Sequence, residues 1–316
     1  MIRKATLIPL CLGTLLAGIA AANGPVGDAA FGVASQGVLV PGVYFNGAQE
    51  TSAVGLTNLC PQEVSVYWAF ATENDEVTDR GFFLLGTAET RPFVLAQELG
   101  TTSRGRIGVI AFASDSTRDG ELRKDDAPCL VAEAFHADLA AQDAAYLPVW
   151  PFNATDIAPL PLFPPPPAGI GDLSRLDPSA LTTLHSGVVD PPGPTTNEAY
   201  VRYSITGSDT TRLVIWSAED ISGDHTIYAT ANGDLGPPAG FQLHLGNPHL
   251  NFIDLGVVSG FPFSNANGLL IIRTPEGYPD LQFDGNGLAI YSVIHSPGIG
   301  AAQTIPATAE SGPPSP

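Results

Sequence analysis

Positively charged side chains are scarce in this sequence. Lysine and arginine together number 13 against 32 aspartates and glutamates, which gives a formal charge of −19 at pH 7. A chain with this charge is repelled by the phosphate backbone of DNA and RNA, so we expect no nucleic acid partner. The same excess of negative charge favours solubility.

Long apolar runs and helical periodicity are also lacking. Beyond the N-terminal segment, no run is long and apolar enough to cross a bilayer as a helix, so the sequence predicts no transmembrane anchor. The best helix candidate is the short stretch 176–184, with Asp177 as N-cap and Pro178 at the first helical position.

The N-terminal segment is typical of a signal peptide. Two basic residues precede an apolar run over residues 5–19, and Ala20 and Ala22 fit a cleavage site. We therefore predict a signal peptide over residues 1–22, a mature protein that begins at Asn23, and a secreted or periplasmic location. Cleavage leaves 11 basic residues against 32 acidic ones, so the mature formal charge is −21.

Cysteine is rare as well, and its positions are informative. The sequence has three cysteines, of which one lies in the predicted signal peptide. The other two, Cys60 and Cys129, are expected to form a disulfide in an oxidising compartment. The alternatives are a metal pair and a reactive thiol. A metal pair is disfavoured, because the two cysteines are far apart and have neither a CxxC spacing nor an adjacent histidine.

Turn-forming residues and short β-prone runs are what the sequence has in abundance. It contains 34 glycines and 29 prolines, and charged residues make up only 14% of it. Many short apolar runs bounded by turn residues predict a β-sandwich or a barrel.

The pattern of the first half returns in the second half at a nearly constant spacing of 159 residues. This regularity predicts an internal duplication. The alternative is a chance likeness between any two sandwiches with strands of similar length. The matches at this spacing are Val54 and Leu56 with Leu213 and Ile215, the Gly-Phe-x-Leu of 81–84 with that of 240–243, Phe93 and Val94 with Phe252 and Ile253, and His136 with His295.

A proline-rich stretch separates the two copies, and its run of four prolines at 164–167 favours a stiff spacer. We predict an all-β fold of two tandem β-sandwich domains, immunoglobulin-like or jelly-roll-like, related by internal duplication and joined by this linker. The predicted boundaries are 1–22 for the signal peptide, 23–152 for the first domain, 153–198 for the linker, 199–308 for the second domain and 309–316 for a disordered tail.

Familiar catalytic motifs are absent. The sequence has no G-x-S-x-G, no H-E-x-x-H and no phosphate-binding loop. We therefore assign no catalytic residue, no cofactor and no metal site. Paired carboxylates for sugar hydrolysis stay possible in principle, but nothing in the sequence singles out a pair.

Several groups of polar residues have the composition of either metal sites or structural features. His244, His249 and Asp254 have the ligand types of a metal site, but the two histidines have opposite strand parity, which favours surface histidines. The acidic stretch 114–126 is either a calcium loop or a solvated loop, and 283–287 favours a hairpin turn over a calcium loop.

The matched histidines and a loop of the second copy complete the candidates. His136 and His295 are expected to share a packing or turn-bonding role. Phe261 and Phe263 lie among glycine, proline, serine and asparagine in a loop that is longer in the second copy, which disfavours a strand interior. We predict that they bind ligand as an aromatic loop tip. Alternatively, both rings plug their own sandwich or dock on the first domain.

These observations predict an exported, non-catalytic binding or structural protein whose loops recognise a surface partner, either a protein or a glycan. The alternative function is a secreted carbohydrate-active or other hydrolytic enzyme whose site residues the sequence does not locate. Clustered carboxylates or several histidines in one cleft would favour the enzyme. A flat surface with apolar loop tips would favour binding.

Overall fold

A computed structural model describes most of the chain outside its N-terminus and its central proline-rich stretch. The described residues are 34–74, 76–123, 125–139, 143–152, 160–161, 198–217, 220–232, 237–273, 288–297, 301–306 and 308–310. The predicted signal peptide, the helix candidate 176–184 and the turn at 283–287 lie outside these ranges.

The first half of the chain forms two antiparallel sheets. The first outer sheet has the strand order β5-β2-β8-β9, the first inner sheet has the order β10-β1-β6-β3-β4, and β7 pairs with β11. A short helix, α1 (Leu95–Glu98), and a 3-10 turn (Thr101–Ser103) follow β5. The strands are β1 (Gly37–Tyr44), β2 (Glu50–Asn58), β3 (Val64–Thr72), β4 (Val77–Leu85), β5 (Thr90–Val94), β6 (Ile107–Asp115), β7 (Glu121–Leu122), β8 (Leu130–Asp138), β9 (Asp143–Leu147), β10 (Trp150–Phe152) and β11 (Leu160–Pro161).

The second half also forms two antiparallel sheets. The second inner sheet has the order β16-β13-β18-β19, and the second outer sheet has the order β15-β14-β17-β12-β20. The predicted all-β fold is confirmed. The strands are β12 (Glu198–Ser204), β13 (Thr210–Ser217), β14 (Gly223–Ala231), β15 (Ala239–Leu245), β16 (Leu250–Asp254), β17 (Asn267–Arg273), β18 (Leu288–Ser296), β19 (Ala301–Pro306) and β20 (Thr308–Glu310).

The strand order is the same in both halves. Strands β1 to β6 correspond to β12 to β17, and strands β8 to β10 correspond to β18 to β20, whereas β7 has no counterpart among the described residues. With this correspondence the two larger sheets of the first half have the same strand order as the two sheets of the second. One hydrogen bond between the paired sheets also recurs. The backbone N–H of Tyr44 donates to Ser52 Oγ at 3.0 Å, and that of Ser204 donates to Thr211 Oγ1 at 2.9 Å.

The register between the halves, however, does not follow a constant spacing of 159. Phe82 is exposed, whereas Phe241, its predicted match, is buried in the core of the second half. Phe83 faces the core, as Phe241 and Leu243 do, so either of these two residues could be its counterpart. The pairing of β4 with β3 and of β15 with β14 identifies Leu243 as the counterpart, at a spacing of 160 residues. A shift of one residue turns a side chain to the opposite face of its strand, so the shared Gly-Phe-x-Leu is not a structural equivalence.

Three hydrophobic cores lie between four stacked sheets. One core fills the space between the two sheets of the first half, and another fills the space between the two sheets of the second half. The third lies between the two inner sheets, where Trp150 and Phe152 of the first half pack with Val214, Trp216 and Tyr291 of the second. The two halves therefore dock on each other through a shared apolar layer.

This layering explains which strands alternate in sequence and which do not. Strands β3 and β6 of the first inner sheet are buried along nearly their whole length, because a core covers each face. Strands β2, β4 and β15 have many alternating buried and more exposed positions, as half-buried strands do.

The predicted disulfide is confirmed. Cys60 and Cys129 are bonded across 69 residues with their Cα atoms 4.9 Å apart, and both belong to the core of the first half. A cross-link of this span contributes about 4 kcal/mol in the chain-entropy model. Of the helices in the described part of the chain, none has the length and apolar character needed to cross a bilayer.

The predicted domain boundaries stay a prediction. Within the predicted linker, β11 (Leu160–Pro161) pairs with β7 of the first half. Strand β20 (Thr308–Glu310) reaches two residues into the predicted tail and pairs with β12.

Candidate functional site

A cavity lies where the two halves meet, at one end of the shared core. Its volume is about 500 Å³, and both halves contribute side chains to its wall. Its polar and aromatic lining residues are Tyr44, Glu50, His136 and Asp138 from the first half, and Thr210, Thr211, Arg212, Phe252, Asp254, Tyr291 and His295 from the second.

A bulge in β1 shapes the floor of this cavity. The pairing of β1 with β6 shifts between Pro41 and Val43, which leaves Gly42 as an extra residue with a φ of +83°. A Cβ on Gly42 would lie 2.0 Å from Tyr291 Oη, so only glycine leaves room for this ring. The Tyr291 hydroxyl donates a hydrogen bond to the carbonyl oxygen of Pro41 at 2.7 Å, and burial raises the pKa of Tyr291.

Two acidic side chains form part of the wall from the first half. Glu50, the first residue of β2, pairs directly with Asp138, the last residue of β8, and both are half-buried. Like charges opposite each other on neighbouring strands repel, so this end of the sheet attracts cationic and hydrogen-bond-donating groups.

His136 reaches the same wall and is held there by a hydrogen bond with Ser52. Its Nδ1 lies 3.1 Å from Ser52 Oγ, and that fully buried hydroxyl already accepts the backbone N–H of Tyr44. Either atom of this pair can be the donor, depending on the tautomer of the imidazole, and the hydrogen bond fixes the orientation of the His136 ring. The ring of Tyr44 lies beside it, with the two centroids 6.1 Å apart.

The wall from the second half carries both signs of charge. Arg212 of β13 pairs with Asp254 of β16, whose Oδ1 accepts the backbone N–H of Gly256 at 2.9 Å. Among the described residues, no carboxylate lies within ion-pair distance of the Arg212 guanidinium. Arg212 is exposed, so its donors are available to a ligand.

Electrostatic effects extend across the cavity and along its rim. Burial, followed by the charge of Glu50, raises the pKa of Tyr44, and the charges of Arg212 and Arg104 oppose this shift. On the rim, a hydrogen bond from Ser204, followed by others from Ser296 and Thr206 and by the charge of His295, lowers the pKa of Asp209.

The two matched histidines meet at the cavity but are not equivalent positions. His136 pairs with Ser52, whose counterpart in the second half is Thr211. His295 pairs instead with Thr210, the residue before Thr211. The likeness in sequence is therefore not a structural equivalence, and the shared packing or turn-bonding role of the two histidines stays a prediction.

Phe261 and Phe263 lie elsewhere, against the core of the second half. The Phe261 ring contacts Tyr203 and Phe241 edge-to-face, with centroids 5.3 and 5.2 Å apart, and Phe263 at 6.3 Å. Both phenylalanines are half-buried and pack on that core. This arrangement agrees with the alternative that the rings plug their own half, and ligand binding by them stays a prediction.

Within the part of the chain that the structure describes, the other histidines are not gathered into one site. His244 Nδ1 lies 2.9 Å from Asp224 Oδ1, and both side chains are 73% exposed. Hydrogen bonds from Ser222, followed by the charge of His249, lower the pKa of Asp220. Within the described ranges, no group of three or more histidines, cysteines, aspartates or glutamates could hold a metal ion.

The carboxylates of the acidic stretch 114–126 bind donors of the protein itself. Asp115 accepts the backbone N–H of Gly120 at 2.7 Å, and Asp126 accepts that of Arg123 at 2.7 Å and the hydroxyl of Ser116 at 2.9 Å. Burial raises the pKa of Asp126 against these hydrogen bonds. Through these hydrogen bonds, Asp115 and Asp126 stabilise the conformation of the loop.

Sequence reasoning missed most of the cavity residues. Glu50 and Asp138 occupy the first or last position of their strands, so the sequence shows them only as polar residues next to turns. Asp254, the last residue of its strand, stands out in the sequence only as a possible metal ligand together with His244 and His249. The common location of these three carboxylates depends on how the second half docks on the first, which no local pattern reveals.

No family model and no curated protein matches the chain. Among solved structures, the apo form of Pleurotus ostreatus lectin is 13% identical over 88% of this chain and 80% of its own, with a TM-score of 0.15. A likeness of this size supports no statement about the fold or the function of this chain.

Proposed function

We propose that the protein is exported and binds a sugar or another polyhydroxylated molecule, without chemistry, in the cavity between two duplicated β-sandwich domains. The observation that carries this proposal is the lining of the cavity, where hydrogen-bonding groups from both halves surround a space of about 500 Å³. This volume lies in the range of ordinary ligand sites.

The ligand class follows from the mixture of lining groups. A sugar hydroxyl both donates and accepts hydrogen bonds, and the cavity offers acceptors in Glu50 and Asp138 and donors in Arg212. The rings of Tyr44 and Phe252 supply apolar surface for the faces of a sugar ring.

Export and duplication are supported by separate observations. The N-terminal segment has the composition of a signal peptide, and the disulfide suits an oxidising compartment. The repeated strand order and the repeated hydrogen bond of Ser52 and Thr211 favour duplication.

Thermal unfolding in the presence of a panel of mono- and oligosaccharides tests the proposal. A bound sugar at 100 times its dissociation constant stabilises the folded state by about 2.7 kcal/mol, which raises the melting temperature measurably. Arg212→Ala should abolish the shift, whereas His244→Ala, which alters an exposed ion pair, should leave it unchanged. If no saccharide raises the melting temperature, the proposed ligand class is wrong.

Hydrolysis of a bound glycan is the second candidate function. It is favoured by the presence of three carboxylates, those of Glu50, Asp138 and Asp254, together with two histidines on one cavity. Chromogenic aryl glycosides test it directly. Release of the chromophore by the wild type, together with loss of this release in Asp138→Asn, would establish an enzyme. If glycosides of the sugars that bind are not cleaved, the protein binds sugars without hydrolysing them.

A further inference from the structure

The two halves stack in a head-to-tail manner. The five-stranded sheet of the first half docks on the four-stranded sheet of the second. By strand order, the first inner sheet corresponds to the second outer sheet, and the second inner sheet corresponds to the first outer sheet. Both outer sheets lie on the outside of the stack. One copy of each docking face is therefore left uncovered by the other half.

The strand ladders identify which residues of the outer faces correspond to those of the internal interface. Ser52 and Thr211 are counterparts, and they pair with residues of β8 and β18. Counting the same number of residues back from those partners along β8 and β18 makes Glu133 the counterpart of Tyr291. Tyr44 and Ser204 are also counterparts, and they pair with residues of β6 and β17. Counting the same number of residues along β6 and β17, and taking the partners reached on β1 and β12, makes Arg202 the counterpart of Pro41.

Opposite charges occupy these two corresponding positions. Tyr291 and Pro41 meet in the internal interface through a hydrogen bond of 2.7 Å. Their counterparts, Glu133 on the first outer sheet and Arg202 on the second outer sheet, are both exposed. If the same docking were repeated between two molecules, a carboxylate would meet a guanidinium at this point.

Apolar side chains surround both charges. Phe135 is 47% exposed on the first outer sheet, and its counterpart Val293 packs on the shared core. On the second outer sheet, Ile271 is buried between Tyr200 and Tyr228, its partners in the strand pairing, and the two tyrosines are half-buried. An exposed aromatic side chain beside a charged group, as Phe135 beside Glu133, is typical of surfaces that bind another protein.

We propose that the protein associates head to tail with copies of itself, the first outer sheet of one molecule packing on the second outer sheet of the next. The contact repeats the docking already present between the two halves and joins Glu133 to Arg202. Because the two faces differ, the contact leaves a free face at each end and continues into a chain or closes into a ring.

Sedimentation velocity over a range of protein concentrations tests this proposal, in about 0.15 M salt so that the long-range repulsion between acidic molecules is screened. The wild-type protein should sediment faster as its concentration rises. Glu133→Arg and Arg202→Glu should each raise the concentration needed for association by about tenfold or more, because like charges would then face each other. The double variant restores opposite charges and should associate like the wild type.

Two exposed phenylalanines provide a matched control. Phe135→Ser removes an apolar contact of the proposed surface and should weaken association, whereas Phe82→Ser alters a ring that is 54% exposed on β4, outside that surface, and should not. A wild-type protein that stays monomeric at all concentrations overturns the proposal. So does association that Arg202→Glu leaves unchanged, since the second outer sheet would then take no part.

Discussion

Tyr291 of the second half donates its hydroxyl hydrogen to the backbone carbonyl of Pro41 in the first half, across 2.7 Å and 250 residues of sequence. The contact is fully buried and lies next to the one extra residue in β1, Gly42. It joins the shared core to the floor of the cavity, so changes here should affect both the stability of the docked halves and the binding of a ligand.

Gly42→Ala should destabilise the docked structure. The new Cβ would lie 2.0 Å from Tyr291 Oη, and the positive φ adds backbone strain, so we expect a loss of about 2–5 kcal/mol in the free energy of unfolding. Denaturant unfolding measures it. Gly260→Ala is the control, because Gly260 has a φ of +81° but nothing within 4 Å of an added Cβ. Equal losses in the two variants would mean that the contact with Tyr291 is unimportant.

Alkaline pH should destabilise the protein in part through Tyr291. Burial raises the pKa of its phenol above the ordinary value of 10.0, so in the unfolded chain the group ionises at a lower pH than in the folded protein. Its contribution to stability is complete below pH 10 and is lost as the pH rises above it, by about 1.4 kcal/mol per pH unit.

Unfolding free energies measured from pH 8 to pH 11 in the wild type and in Tyr291→Phe test this effect. The variant should be less stable at pH 8, by about 1–3 kcal/mol, because the Pro41 carbonyl loses its donor. It should also lose less stability between pH 10 and pH 11. Parallel pH profiles for the two proteins would contradict the assignment to Tyr291.

Phe261→Ser together with Phe263→Ser should destabilise the second half. The rings pack on its core, and truncating a fully buried phenylalanine costs about 3–5 kcal/mol, whereas a surface change stays within about 0.5 kcal/mol. Val257→Ser, at a side chain that is 79% exposed, is the control in the same denaturant series. An unfolding midpoint that stays at the wild-type value would instead favour the loop tip as a ligand-binding element.

The two halves, expressed separately as 23–152 and 199–308, should each unfold cooperatively, because each has a core of its own. Each half should also be less stable than the full chain. Separation exposes Trp150, Trp216 and Tyr291, and the burial of one such side chain is worth about 1.5–3 kcal/mol. Mixing the halves should restore their association, measured by calorimetry. If neither piece shows a cooperative transition, the predicted domain division is wrong.

Local patterns in the sequence were sufficient for the strands and for the disulfide. Alternation predicts half-buried strands such as β2, and an even number of cysteines after removal of the signal peptide predicts the pairing of Cys60 with Cys129. The duplication inferred from the spacing of 159 residues stays a prediction, and that spacing does not give the register of β4 and β15, because a shift of one residue turns every side chain of a strand to the opposite face.

The all-β class, the excess of negative charge and the covalent link can be predicted from the sequence, since each depends on composition or on contacts between neighbouring strands. The packing of the two inner sheets is seen in the folded structure alone. It buries Trp150 beside Tyr291 and brings Glu50, His136, Arg212 and His295 to one cavity. The sequence does not reveal this packing because an apolar strand face has the same residue pattern whether its own half or the other half covers it. The choice depends on the shapes of two whole surfaces, which meet only after each has formed.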